Sequence, residues 1–93
     1  MGRVNVKFFG AAIDAANRQT QTDVIASNVQ ELMNVLAENF GDAFKKKVLD
    51  SRGWPQAFVN LFVNNKDIRY LNELETPLND GDEVLILPAV AGG

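Results

Sequence analysis

The last residues, Ala91-Gly92-Gly93, end in a backbone carboxylate and carry no functional side chain. Two glycines make that terminus as thin as a backbone, so it can thread a narrow channel. From Pro88 onward none of the six residues is charged or large, and fully extended at about 3.3–3.6 Å each they reach roughly 20 Å. A carboxylate is a poor electrophile, so chemistry at Gly93 requires activation by another molecule. A frayed terminus also ends this way, and Gly-Gly alone does not separate the two readings. The second constellation is Asp80, Asp82 and Glu83. Clustered carboxylates suit magnesium or calcium, but the run lacks EF-hand spacing, and Asn79-Asp80-Gly81-Asp82 reads first as a turn. The expectation is no metal site.

The rest of the composition removes chemistry. The 93 residues contain no Cys and no His, which excludes disulfides, thiolate nucleophiles, imidazole bases and Cys/His zinc sites. No carboxylate is paired with another reactive group in a way that suggests a side-chain active site, and catalysis by the isolated chain is not expected. No phosphate-cradling GxxxxGK[ST] loop is present. Nine Lys plus Arg against 12 Asp plus Glu give a net charge of −3, unsuited to a duplex nucleic-acid binder with a basic face. The charge is uneven: residues 70–93 hold five acids and no base. That reads either as solvated turns or as a face for a basic partner surface. No apolar segment has the form of a signal peptide or a membrane span, and Val6 stands where a myristoylation motif needs Ser or Thr. These features predict a cytoplasmic protein with no membrane or nucleic-acid partner.

Length and a 46% hydrophobic, 23% charged composition fit one globular domain. Val4, Val6 and Phe8 alternate with Arg3, Asn5, Lys7 and Phe9, the period of a strand with one buried face. Gly10 ends it, Ala11–Gln21 reads as a long connection, and a second strand falls near Thr22–Ala26. Asn28 and Glu31 have capping-box spacing. Val29, Leu32, Met33, Leu36 and Phe40 then follow as the apolar stripe of a helix stopped by Gly41. A short helix over Ala43–Leu49, with Asp42 as N-cap, turns Phe44, Val48 and Leu49 inward and keeps Lys45-Lys46-Lys47 near its C-terminal end. After the breakers Ser51–Pro55, strands are predicted over Phe58–Asn64, Ile68–Tyr70 and Glu83–Leu87, with Asn64-Asn65 as a turn. The fold class is α+β: a β-grasp, a mixed sheet of four to five strands packed by one main helix and a short one. Its first and last strands lie side by side, residues 1–88 form the domain, and 89–93 form a flexible tail.

Leu78-Asn79-Asp80-Gly81-Asp82-Glu83-Val84-Leu85-Ile86-Leu87-Pro88-Ala89-Val90-Ala91-Gly92-Gly93 closely resembles the C-terminal signature of the molybdopterin synthase small subunit (MoaD), a ubiquitin-fold sulfur carrier related to ThiS. Val4–Phe9 is similar to that family's first strand, and Val63-Asn64-Asn65-Lys66 to its turn. Residues 10–27 and 51–56 match poorly, and Ala89 departs from a frequent second proline.

The resemblance implies a sulfur carrier acting as a subunit of molybdopterin synthase. A ubiquitin-activating-like adenylyltransferase (MoeB/ThiF-like) would adenylylate Gly93 with ATP and magnesium. A persulfide donor would convert Gly93 to a thiocarboxylate, and a large subunit (MoaE-like) would use that sulfur to build the dithiolene of a molybdenum or tungsten cofactor. No cofactor is expected on this chain itself, since ATP and magnesium belong to the partner. Gly92 and Gly93 would be the reacting terminus, and Phe9, Phe62, Leu85, Leu87, Pro88, Val90, Asp80, Asp82 and Glu83 the partner contacts. Strand alternation puts Phe9, Phe62, Leu85 and Leu87 on the face away from the core. They form either an exposed patch or core covered by the 10–21 segment or the Trp54 segment. Two other roles share this fold and ending: a ubiquitin-like modifier of the archaeal small-modifier type, joined through Gly93 to lysines, and a ThiS-like carrier for another sulfur pathway.

Overall fold

The computed structural model describes residues 2–88. Three of its strands meet at the sheet centre: β1 (Gly2–Phe8), β5 (Glu83–Pro88) and β3 (Val59–Val63). β2 (Gln21–Ala26) and the two-residue β4 (Lys66–Asp67) complete it in the order β2-β1-β5-β3-β4. β1 and β5 run parallel, and every other pairing is antiparallel. This mixed five-stranded sheet with helices on one face is the β-grasp architecture, with the first and last strands adjacent as expected.

Period-two alternation in β1, β3 and β5 buries Val4, Val6, Phe8, Leu61, Val84 and Ile86 on one side. Helix α2 (Val29–Phe40) covers that side with Val29, Leu32, Met33 and Leu36, all fully buried. Its N-terminus is held by the predicted cap: the Glu31 N–H donates to Asn28 Oδ1 at 2.8 Å. The reciprocal bond differs from the standard box, because the Glu31 carboxylate accepts from the Ser27 N–H at 2.7 Å, not from Asn28. Helix α3 (Asp42–Val48) follows at once. The Phe40 ring bridges Phe8, edge to face at 5.6 Å, and Phe44 at 6.2 Å, which ties both helices to β1.

Four local expectations are corrected. Ala11–Ala15 is a short helix, α1, whose Ala12 and Ala15 are buried. Its inward residues are alanines, too small to stand out as an apolar stripe, and they let it lie close to α3. Asp42 is the first residue of α3 and not its cap; Gly41, at φ 70°, takes that place. Phe58 stays outside β3, which begins at Val59. Ile68–Tyr70 is a 3₁₀ turn, not a strand, because the Asp67 carboxylate accepts from the Arg69 N–H at 2.8 Å and bends the chain off the ladder.

One turn and one close backbone approach set the register at the site. Asn64 and Asn65 both have positive φ, 51° and 69°, the conformation of a two-residue type I′ hairpin and the reason Asn is suited there. Gly2 is required by close approach, since a side chain on it would collide with the Leu78–Asn79 backbone.

Candidate functional site

The outer face of the three central strands gathers the candidate contacts. Leu85 is flanked by Lys7 on β1 and by Phe62 on β3, so these three residues form one row across the sheet. The next row has Leu87 opposite Asn60. The Phe9 N–H donates to the Ile86 carbonyl at 3.1 Å, which extends the β1 ladder and sets Phe9 beside Leu87. Phe9 is 41% exposed, and Phe62, Leu85 and Leu87 are half-buried. The sheet therefore joins all four into one apolar band, and neither α1 nor the Trp54 segment encloses them as core. Pro88 lies opposite Val59 at the end of β5, so the chain leaves the sheet at the edge of this band. Val90, Gly92 and Gly93, with the rest of the predicted 89–93 tail, lie outside the described residues.

Charges border the band. Lys7 Nζ meets Glu83 Oε2 at 2.9 Å, an ion pair between neighbouring strands that sequence alternation alone does not pair. Further along β1, the Asn5 amide and Arg3 guanidinium donate to Asp23 on β2 at 3.0 and 3.4 Å. The Asn5 hydrogen bond, with help from Arg3, holds the Asp23 carboxyl below its ordinary range. On the β4 side, the Arg69 guanidinium donates to Asp67 and to Asn60 Oδ1. Hydrogen bonds from Arg69 likewise lower the Asp67 pKa. Exposed Ile25, on β2 opposite Arg3, is an outward apolar residue that strand alternation could have revealed.

Asp80 and Asp82 serve the turn that starts β5. Asp80 accepts from the Arg3 N–H at 2.8 Å, and Asp82 accepts from the Asn79 N–H and the Asn64 amide at 2.9 Å each. Asn64 also receives the Glu83 N–H on its side-chain oxygen at 3.0 Å. The hairpin turn and the acidic turn therefore lock to each other and fix where β5 begins. Among the described residues no group of three or more Asp or Glu side chains is placed to hold a metal ion, and no helix is long and apolar enough to cross a membrane. The described residues thus combine an apolar band, a charged border and, at Pro88, the end of β5.

Residues 6–93 match the family model described as the ThiS family. The chain belongs to the ThiS family. Among similar proteins of this sulfur carrier family, the molybdopterin synthase sulfur carrier subunit of Mycobacterium tuberculosis is 33% identical over the whole of both chains. The sulfur carrier protein CysO of the same organism is 54% identical over 43 residues, 46% of each chain. Among solved structures, one from the Amycolatopsis orientalis BexX/CysO complex superposes with TM-score 0.83 at 27% identity, covering 97% of this chain and 99% of that one. The small archaeal modifier protein 1 of Methanosarcina acetivorans superposes with TM-score 0.82 at 28% identity, covering 100% and 98%. These two solved structures share the β-grasp scaffold with this chain.

Proposed function

We propose that this ThiS-family chain carries sulfur as a thiocarboxylate on Gly93 and presents it to partner enzymes through the band of Phe9, Phe62, Leu85 and Leu87. The observation that carries the reading is that the family match runs through Gly93, while the strand leading there ends beside an apolar surface with no reactive side chain of its own. A partner adenylyltransferase joins the Gly93 carboxylate to AMP and releases pyrophosphate from ATP. The outer sulfur of a persulfide displaces AMP to give an acyl disulfide. A thiol then attacks the donor's own sulfur, breaking the S–S bond, so that donor and thiol leave as a disulfide and the outer sulfur stays on Gly93 as the thiocarboxylate. In this scheme the present chain supplies the acyl group and the recognition surface, Pro88 and Val90 guide the terminus, and Asp80, Asp82 and Glu83 form the acidic border of the partner contact.

For the acceptor, the full-length likeness to a molybdopterin synthase sulfur carrier subunit supports a role as the small subunit of that enzyme. The loaded protein, mixed with a large synthase subunit and cyclic pyranopterin, is expected to yield the dithiolene. No product, while a known carrier subunit succeeds in the same mixture, would overturn this acceptor. The 54% identity to CysO over 43 residues favours a second reading, a carrier serving another sulfur-accepting enzyme. Likeness to an archaeal small modifier supports a third use of the same terminus, conjugation to lysines. Gly-Gly remnants on lysines of other proteins in cells making this chain would reveal it.

A further inference from the structure

The sheet edge beyond β3 is incomplete. β5 pairs with β3 along its whole length, Val59–Val63, but β4 pairs only with Phe62 and Val63. Past Asp67 the chain leaves the ladder in two 3₁₀ turns, Ile68–Tyr70 and Glu73–Glu75. Val59–Leu61 therefore has a strand neighbour on one side only. The Asn64 N–H donates to the Glu83 carbonyl, so by alternation the backbone groups of Asn60 and Phe62 face β5, and those of Val59 and Leu61 face the open side. The Val59 N–H is taken by the Gln56 carbonyl at 2.9 Å. The Val59 carbonyl and the Leu61 N–H face this side, where no strand lies opposite them among the described residues. Val59 is 7% and Leu61 1% exposed, so an added strand would meet the Val59 carbonyl first and reach the Leu61 N–H from the groove.

These groups border a groove of about 790 Å³ walled by Trp54, Pro55, Leu71 and Leu74, with Glu73 and Glu75 at its rim. The Arg69 charge there is already committed to Asp67, at 3.0 Å. Glu73 and Glu75 are exposed, and neither forms an ion pair among the described residues. Glu73 holds φ 50°, a left-handed conformation a glutamate seldom takes. The groove thus offers apolar walls, a strand edge and unneutralised negative charge. The chain's own terminus is a poor occupant, because its carboxylate would be repelled by that rim.

We infer that this groove docks an extended, basic segment of a partner protein. The segment would add at Val59–Leu61, place an apolar side chain against Trp54, Leu71 and Leu74, and pair Lys or Arg with Glu73 and Glu75. Val59 is also the register partner of Pro88, so a protein that grips the C-terminus meets the groove one strand further across the sheet. The inference does not depend on what Gly93 carries.

The test uses the full chain and the capped peptide Lys-Val-Lys-Leu-Lys, followed by amide chemical shifts and by emission of Trp54, the single tryptophan. Shifts are expected at Asn60, Leu61, Trp54 and Leu71–Glu75, with slowed exchange of the Leu61 amide. The double variant Glu73→Asn, Glu75→Gln keeps a residue that tolerates left-handed backbone and is expected to weaken binding about fivefold, as loss of two exposed ion pairs implies. Glu75→Gln alone is expected to show about half of that effect on a logarithmic scale, and stands in if the double variant does not fold. The control Glu38→Gln, Asp42→Asn removes equal charge elsewhere and should leave affinity unchanged. Equal weakening by the control, equal binding of Glu-Val-Glu-Leu-Glu, shifts outside the groove, or no shifts at millimolar peptide would each overturn the inference.

Discussion

On the helix side of β5, Val84 and Ile86 are fully enclosed, while Leu85 and Leu87 on the same strand remain half-exposed on the other side. The inner residues share one buried core with the inward side of α2 and with Phe8 and Phe44. Across the sheet the outer ones lie in register with Lys7, Phe62 and Asn60. Burial on one face alone is enough to fix the strand, because alternation locks the register once one face is committed. The other face is then free to keep apolar side chains that add little to folding. Under the proposed function that outer face serves recognition, and the chemistry belongs to the terminus toward which β5 runs.

The sharpest break of this contrast removes the terminus and spares both faces. Deleting Gly92 and Gly93 is expected to abolish sulfur loading completely while leaving the urea midpoint unchanged; a shifted midpoint would mean that the two glycines also support the fold. Next in size, Ile86→Ala should cost about 2–5 kcal/mol of stability through cavity formation, read by urea unfolding. Leu85→Ala, on the outer face of the same strand, should cost only about 1 kcal/mol. It should nevertheless weaken partner binding about tenfold or more, as a central interface residue does, measured by calorimetry against the adenylyltransferase. If Leu85→Ala destabilised as much as Ile86→Ala, the division of labour between the faces would be wrong.

Two smaller effects test how the faces are held. Asn28→Ala removes the oxygen that receives the Glu31 N–H and should lower stability by about 1 kcal/mol, with no change in partner affinity. Asp67 at the β4 edge has its pKa lowered chiefly by Arg69. Its folded pKa lies below the unfolded value near 3.9, so its contribution is present above about pH 4 and disappears as pH falls through the folded pKa. Asp67→Asn should therefore be slightly less stable than the parent at neutral pH and no different in strong acid, as urea midpoints across pH would show. Asparagine keeps a side-chain oxygen that accepts the Arg69 N–H, so the series isolates the charge of the carboxylate.

The parts of this molecule legible in its sequence are those where one physical cue dominates. Alternation in β1, β3 and β5 names their buried residues, Asn28 with Glu31 marks the start of α2, and the Asn64-Asn65 pair marks a hairpin. Phe9, Phe62, Leu85 and Leu87 follow from the same alternation once the strand order is supposed. Where cues compete, the sequence misleads. In α1 the packing residues are alanines, so close approach to α3 replaces a visible stripe. After β4, the Asp67 side chain competes for the Arg69 N–H and turns a β-like Ile68-Arg69-Tyr70 into a 3₁₀ turn. The Lys7–Glu83 pair and the groove beside Trp54 depend on strand register and loop placement, which no local pattern encodes. The acidic character of residues 70–93 is plain in the composition, but only the fold separates Asp80 and Asp82, engaged in a turn, from Glu73 and Glu75 at an open rim.

The central claim is that the reactive group of this chain is its Gly93 carboxylate. It is tested most directly by intact mass after incubation with the adenylyltransferase, ATP, magnesium, a persulfide donor and a thiol. The expected result is a mass increase equal to the exchange of one oxygen for one sulfur, confined to the C-terminal peptide and absent from the Gly92-Gly93 deletion. An unchanged mass, with the same partners active on another carrier, would contradict the account.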